Sequence, residues 1–295
     1  MQVHLAWSGV GAKGGMEVTV ENRRGPELSG ADVNLGQDRA HNARMYDYYL
    51  GGKTNYAVDR EAAREVMRAF PAIETVARAN RAYMHRVMRF LARQGVRQFI
   101  DVGAGMPAAP NVHQVVQEVA PDCRVVYVDN DPIVLVYADS LLCGAPQGQT
   151  AYVDADATKP ADVLAAVRDG GVVDFDRPVA LSLHALLHFV PDEQSVYELV
   201  GRFMKDLPTG SFLSLSHCTG DFMPDAWQAV VDAYARQGTP MRVRSRTEVA
   251  RFFDGLVLVE PGVTVAHRWH PEAASGPSLA RDAQVSLYAG LARKP

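Results

Sequence analysis

The sequence predicts an α/β protein: a doubly wound, mostly parallel sheet of seven strands, with helices on both faces and a helical extension in front. Three observations predict it. After Gly95, short apolar runs alternate with segments of helical periodicity. Those runs are apolar throughout, as strands covered on both faces are. Before Gly95 the apolar residues recur at helical spacing.

Length and composition agree with this. The chain has 295 residues, of which 47% are hydrophobic, enough for one large domain with an extension. The expected division is a mobile arm at 1–40, a helical lid or extension at 41–95 and the sheet domain at 96–295. Net charge is −4, from 34 acidic and 30 basic residues, which gives no electrostatic case for nucleic acid as the main partner. No apolar run approaches the roughly 18 residues of a membrane span. Cys123, Cys143 and Cys218 are far apart and odd in number, so they read as ordinary thiols in a reducing compartment. The start MQVHLAWSGVGAKGG has no basic segment before its apolar piece, unlike a secretory signal. The expected location is the cytoplasm.

Taken in order, residues 1–40 are rich in Gly, Asn, Asp and Arg, and only VHLAW and EVTVEN look like short strands. A helix is expected from about Asp59 to the break at Pro71. A second is expected from Ala72 to Gln94, with Gly95 as its C′ glycine. Its apolar stripe is Ile73, Val76, Ala77, Tyr83, Met84, Val87, Met88 and Leu91. Asn80 falls on that stripe, so it is expected to be buried and hydrogen-bonded. Strands follow at 97–102, 123–129, 150–154, 178–184, 211–217, 256–260 and 284–292. Helices are expected at 111–120, 132–143, 160–168, 192–207 and about 223–238. Asp131 with Pro132 marks one helix start, Asp192 another, and Ser245 with Glu248 forms a capping box.

The chemistry sits where strands end. The first strand runs into Gly103-Ala-Gly105-Met-Pro-Ala108, which fits G-x-G-x-x-[GA] between a strand and a helix. This is a Rossmann-like arrangement; a bare tight turn is the bland alternative. Asp101 stands two residues before the first glycine. A carboxylate there disfavours a pyrophosphate and suits a cation such as the ammonium of S-adenosylmethionine. Pro107 removes a backbone N–H that a phosphate would use. Asp129, with Asn130 beside it, ends the second strand, where an acid binds ribose hydroxyls; a turn or cap role is the alternative. After the third strand, Asp156 is placed to accept from an adenine amino group, with Ala157 against the ring and Asp154 as the alternative acid. His184 and His188 end the fourth strand. HALLH lacks the glutamate of H-E-x-x-H and a third ligand, so no metal is expected. Both histidines are candidates for a catalytic role, His184 also for the cofactor edge, and His188 equally for packing.

Taken together, DVGAG, VVYVDNDP, DADAT, SLHALLHFVP and LPTGSFLSLSH are similar to the ordered motifs of class I S-adenosylmethionine-dependent methyltransferases. More narrowly, the chain resembles a bacterial S-adenosyl methyltransferase family long known only as a domain of unknown function. The shared features are YDYYLGGK-x-N-[YF]-x-x-DR at 46–60, RANR at 78–81 and SR-x-EVARFFDGL-x-LVEPG at 245–262. The resemblance covers about residues 40–295. It implies methyl transfer from S-adenosyl-L-methionine to an unidentified, small-molecule acceptor, with Asp101, Gly103, Gly105, Asp129 and Asp156 at the cofactor. An NAD-dependent oxidoreductase and a non-catalytic cofactor-binding protein are the alternatives.

One stretch invites another reading. Gly52-Lys53-Thr54 is the tail of a phosphate loop, but Asp47 stands where the pattern needs its first glycine. The stretch 45–56 reads instead as a lid over the cleft. Tyr46, Tyr48, Tyr49 and Tyr56 would supply its rings and Lys53 a charge, with Tyr48, Tyr49, Lys53 and Tyr56 the candidates for the substrate side; packing of the extension onto the sheet is the alternative.

Overall fold

Three helices precede the first strand: α1 (Asn42–Tyr49), α2 (Ala57–Ala69) and α3 (Ile73–Arg93). This computed structural model describes residues 38–131, 133, 134, 137, 144–270 and 281–295. The strands expected in VHLAW and EVTVEN, most of the arm at 1–40 and most of the helix expected over 132–143 lie outside the described residues. Helix α1 was not separable from its surroundings in the sequence.

The turn after α1 is built around one carboxylate. Asp47 is buried and accepts from Thr54 N at 2.9 Å and from Asn55 Nδ2 at 2.7 Å. A side chain on Gly52 would overlap that carboxylate. The backbone N–H that a phosphate would need is therefore taken by Asp47, and the GGKT tail is a helix exit. Asn55 in turn accepts from Arg60 Nη1 at 3.0 Å.

A second buried carboxylate joins α1 to α2. Asp59 is 0% exposed and pairs with Arg44 Nε at 3.0 Å, itself 2% exposed. Asp59 also accepts from His41 N at 2.9 Å and from Tyr56 N at 2.8 Å, which caps α2. The acid and amide positions of the 46–60 motif thus hold this corner together.

The sheet follows. Its strands are β1 (Gln98–Val102), β2 (Arg124–Asp129), β3 (Gln149–Asp154), β4 (Ala180–His184), β5 (Phe212–Cys218), β6 (Val257–Leu258), β7 (Thr264–Val265) and β8 (Leu287–Arg293). The order is β3-β2-β1-β4-β5-β8-β6, with β7 also paired to β8. Strands β1 to β5 run parallel and β8 runs antiparallel between β5 and β6. Seven strands were expected, and the eighth is the two-residue β7. The described helices around the sheet are α4 (Val112–Val119), α5 (Pro160–Asp169), α6 (Val196–Lys205), α7 (Pro224–Arg236), α8 (Arg246–Ala250) and α9 (Asp282–Val285).

Three expectations shift at element ends. The helix expected over 192–207 divides: Asp192–Gln194 is a tight turn, Ser195 has φ +52°, and α6 begins at Val196. Asp192 does not cap it, because its carboxylate is held 2.5 Å from Arg244. The strand expected over 256–260 shrinks to β6. The strand expected over 284–292 divides as well, with α9 ending at Ser286, φ +39°, before β8.

Helix α3 packs on the sheet as its periodicity predicts. Tyr83, Val87, Met88 and Leu91 are all 0% exposed, each contributing about 1.5–3 kcal/mol by burial. The facing strands also carry buried serines, Ser182, Ser214 and Ser216. Ser216 donates to Asn80 Oδ1 at 2.6 Å, and Asn80 Nδ2 donates to Tyr46 at 2.9 Å. Tyr46 donates to Ala77 O at 3.0 Å. Asn80 therefore ties α1, α3 and β5 together, as its place on the apolar stripe led us to expect.

Asp59→Ala leaves Arg44 charged and buried. We expect a loss of about 3–5 kcal/mol in chemical denaturation; a loss below about 1 kcal/mol would show that the pair is not needed.

Candidate active site

The sheet order reverses between β1 and β4, and the crevice at the carboxyl ends of these strands is where open α/β sheets bind ligands. A cleft with a cavity volume of about 270 Å³, partly open to solvent, lies there. Gly103, Gly105, Asp129, Asn130, Asp156 and Ala157 line it from the strand ends. Tyr46, Tyr49 and Asn80 line it from the extension, and His188 and Tyr234 from the far side.

The glycine turn needs its glycines. Gly103 has φ +75° and Gly105 φ +64°, a region that L side chains rarely adopt. A Cβ on Gly103 would also stand 2.7 Å from Leu186. Asp129 is aimed by backbone donors: Gly105 N at 2.7 Å on one oxygen, and Asn130 N at 2.9 Å and Asp131 N at 3.1 Å on the other. Burial raises Asp129 above the usual carboxylate range, against these bonds. Asp156 accepts from Thr158 N and Oγ1 through Oδ1, at 2.9 and 2.7 Å. Asp154 is exposed and outside the lining, so of the two acids Asp156 is the one at the cleft.

Asp101 sits behind the glycine turn and is not in the lining. Its Oδ1 accepts from Ser182 at 2.5 Å. Burial pushes it up to about 6, opposed by the Ser182 bond and by Arg81 and assisted by Asp129. The folded protein therefore holds this proton more tightly than the unfolded chain. The resulting stabilisation is complete below about pH 4 and is lost as pH rises through about 6. Arg81 also clamps the loop, donating to the carbonyls of Ala108 and, at 2.8 Å, Pro110.

The two histidines differ. His184 lies outside the lining, with Nε2 2.7 Å from Ser214 Oγ. Ser214 is 3.0 Å from Tyr83, which donates to Gly290 O. His184 thus belongs to the bonded layer under α3, and burial lowers it to about 3. His188 lines the cleft and is 4% exposed.

Among the lid candidates, Tyr49 lines the cleft, 3.4 Å from the Tyr234 hydroxyl. Tyr48, Lys53 and Tyr56 do not. Lys53 is exposed on the Asp47 turn, Tyr48 lies under Arg64, and Tyr56 packs on the cluster of Met106, Ile133 and Val134. Tyr46, a further ring of the 45–56 stretch, also reaches the cleft, from helix α1. Sequence reasoning missed His41, whose Nδ1 lies 2.9 Å from Asp131 Oδ2. Burial alone would raise Asp131, but the bond to His41 and its charge hold it below the usual range. Asp131 Oδ1 accepts from Ile133 N at 2.9 Å, the cap its sequence position implied.

A glycine turn, an acid ending the second strand and an antiparallel strand inserted beside β5 define the Rossmann-like methyltransferases. The chain matches the S-adenosyl methyltransferase family over residues 29–295 and belongs to it. It is similar to a protein of the DUF574 family from Streptomyces avermitilis, at 45% identity over 88% of this chain and 100% of that one, TM-score 0.85. It is also similar to a presumptive methyltransferase from Thermobifida fusca, at 34% identity over 88% and 97%, TM-score 0.80. Magnesium protoporphyrin IX methyltransferase from Synechocystis, solved with S-adenosylhomocysteine, shares the fold at 11% identity over 85% and 93%, TM-score 0.50. No curated protein is matched. The chain is an S-adenosylmethionine-dependent methyltransferase, and S-adenosyl-L-methionine is its cofactor. The nicotinamide alternative is set aside.

Asn80→Ala removes the tie between Tyr46 and Ser216. We expect about 1–3 kcal/mol of destabilisation together with weaker binding of S-adenosylhomocysteine in calorimetry. Lys53→Ala should stay within about 0.5 kcal/mol of wild type and leave that binding unchanged.

Proposed function

We propose that this methyltransferase acts on a small molecule enclosed in the cleft, by direct displacement, in the bacterial cytoplasm. The observation that carries the reading is the cleft itself: acids line it at the strand ends, uncharged and aromatic side chains line it elsewhere, and the extension roofs it. Residues 41–95 then serve as a roof and the 96–295 segment as the catalytic domain. The net charge of −4 argues against a nucleic-acid acceptor. The absence, among the described residues, of a helix long and apolar enough to cross a membrane is compatible with this location, as are the buried free thiols of Cys123 and Cys218.

The strand-end residues suit the cofactor. Asp129 is pre-aimed and retains acceptor capacity for a ribose diol. Asp156 has one oxygen left for the adenine amino group, with Ala157 against the ring. Asp101 would hold the methionyl ammonium beside the glycine turn. When bound, the cofactor supplies a methyl group on a sulfonium. Displacement at that carbon needs alignment and exclusion of water more than acid–base machinery, and the tyrosines of the roof supply both.

Two outcomes follow. Asp129→Ala removes a charged acceptor worth about 1.5–3 kcal/mol, so calorimetry should show affinity for S-adenosylhomocysteine falling by about 10- to 100-fold. An unchanged affinity in a folded variant would reject this placement. The ammonium requires Asp101 as its carboxylate. Affinity should therefore rise with pH up to about 6 and level off above it, with proton release on binding near pH 6. Asp101→Asn should flatten the profile; a wild-type profile that is already flat would remove Asp101 from the ammonium.

A further inference from the structure

The cleft has two halves of opposite character. At the strand ends, Asp129 and Asp156 line it. The half under α3 and α7 is walled by Tyr46, Tyr49, Asn80, Phe189, Tyr234 and Met241 among others. Among the described residues it has no Lys, Arg, Asp or Glu. Its polar atoms are largely spoken for. The Tyr46 hydroxyl and the Asn80 amide are bonded to each other and to Ala77 and Ser216. The hydroxyls of Tyr49 and Tyr234 face each other, and burial pushes both up, so both stay protonated. A charged group entering this half would lose its water and meet no counter-charge, at a cost of several kcal/mol.

One polar side chain in this half has no partner. Neither ring nitrogen of His188 is hydrogen-bonded among the described residues, and Nδ1 is fully buried. Buried polar groups are nearly always paired, and Nε2, unbonded and not closed off as Nδ1 is, leaves this cleft-lining ring one nitrogen open to a ligand. Its surroundings hold the ring neutral. The groups that act on it are the His217 ring on β5, 5.5 Å away, and the guanidinium of Arg244, while Cys218 and Tyr234 share the cleft lining with it. His217 Nδ1 lies 2.7 Å from Cys218 O, so that nitrogen carries the hydrogen, and Nε2 accepts from Arg244 at 2.8 Å. Arg244 is fixed by Asp192 and by the carbonyls of Leu187 and Val190. Burial first, then His217 and Arg244, keep His188 well below the ordinary histidine range.

We propose that the methyl acceptor is an uncharged, largely apolar molecule that presents a hydroxyl group to the ring of His188 and is methylated on that oxygen. This rests on the small-molecule reading above. The acceptor oxygen forms its bond to the methyl carbon as the carbon–sulfur bond breaks and that electron pair stays on sulfur. The hydroxyl proton passes to His188 and then to solvent. Positive charge leaves sulfur as it reaches the ring, so the net charge of the closed cleft does not change. A histidine already protonated would instead repel the sulfonium.

The test uses the whole protein. Binding of S-adenosylhomocysteine is measured first; its failure would overturn the cofactor reading and this proposal with it, whereas the acceptor panel tests the acceptor class alone. The saturated protein is then titrated with phenols and alcohols of graded size, from phenol through 2-naphthol to three-ring polyphenols, each beside ammonium and carboxylate analogues of the same skeleton. We expect binding, and methyl ethers from labelled cofactor, in the hydroxyl series alone. Equal binding of a charged series, or none in the hydroxyl series, overturns the acceptor class. With the best phenol, His188→Gln should keep its affinity for S-adenosylhomocysteine and lose about 10²- to 10⁴-fold in kcat. Its rate should recover as pH approaches about 10, where a phenol ionises unaided. A variant with the wild-type rate and pH profile overturns the role of His188. Should the variant fail to fold, His188→Asn gives a second reading, and the wild-type panel still decides the acceptor class.

Discussion

The contact between Asn80 and Ser216 is the constraint on which the rest of the site depends. A helix normally meets a parallel sheet through apolar side chains, and most of α3 does so. At Asn80 a buried amide faces a buried hydroxyl at 2.6 Å. Ser216 also accepts from Ala185 N at 2.9 Å, and Ala185 carries φ +52°. Such a backbone costs of order 1–3 kcal/mol and persists only where its surroundings hold it. The chain from Tyr46 through Asn80 and Ser216 to Ala185 thus fixes the roof, the sheet and the bend after β4 relative to one another. An apolar pair at 80 and 216 could pack as well, but it would leave Ala185 N without this side-chain acceptor and Tyr46 without its donor.

The same economy explains the 46–60 segment. Asp47, Asn55 and Asp59 are buried polar residues whose bonds all close on nearby backbone, on one another or on Arg44 and Arg60. Burying Asp59 against Arg44 is tolerable because the carboxylate also accepts two backbone N–H groups. The segment is rich in residues that look chemical and are architectural. Only Tyr46 and Tyr49 of the motif reach the cleft, because α1 turns one face toward it.

What the sequence made legible follows from range. Strands β1 to β5, the stripe of α3, the glycine turn and the acids at strand ends are local patterns, and each stands where its pattern put it. The burial of Asn80 was legible because one polar residue interrupted an apolar stripe. The partner of Asn80 was not, since 136 residues separate it from Ser216. The same holds for Tyr49 with Tyr234 and for Arg244 with His217. The roles of His184 and His188 could not be told apart by spacing: one ends a strand and bonds to Ser214, while the other follows the bend at Ala185 and reaches the cleft. Lys53 misled for a different reason, because a charge beside glycines suggests a ligand whether or not the turn points at one.

The placement of charge completes the argument. Asp101, Asp129 and Asp156 gather at the ends of three adjacent strands, where backbone or hydroxyl donors hold each one. Burial raises Asp101 and Asp129, with the charge of Asp129 adding at Asp101 and that of Asp131 adding at Asp129, a strain that a bound cation relieves. On the other side, Arg244 is paired with Asp192 and bonded to the His217 ring, whose centroid lies 5.5 Å from that of His188. A cationic methyl donor is therefore drawn to one half of the cleft and not to the other. The two halves also draw on different elements: the strand-end loops set the first, whereas α1, α3 and α7 set most of the second. Substitutions that reshape the tyrosine-lined half can then change the acceptor without disturbing the acids and glycines that hold the cofactor. Those substitutions must still preserve Asn80, because this lining residue also ties the roof to β5.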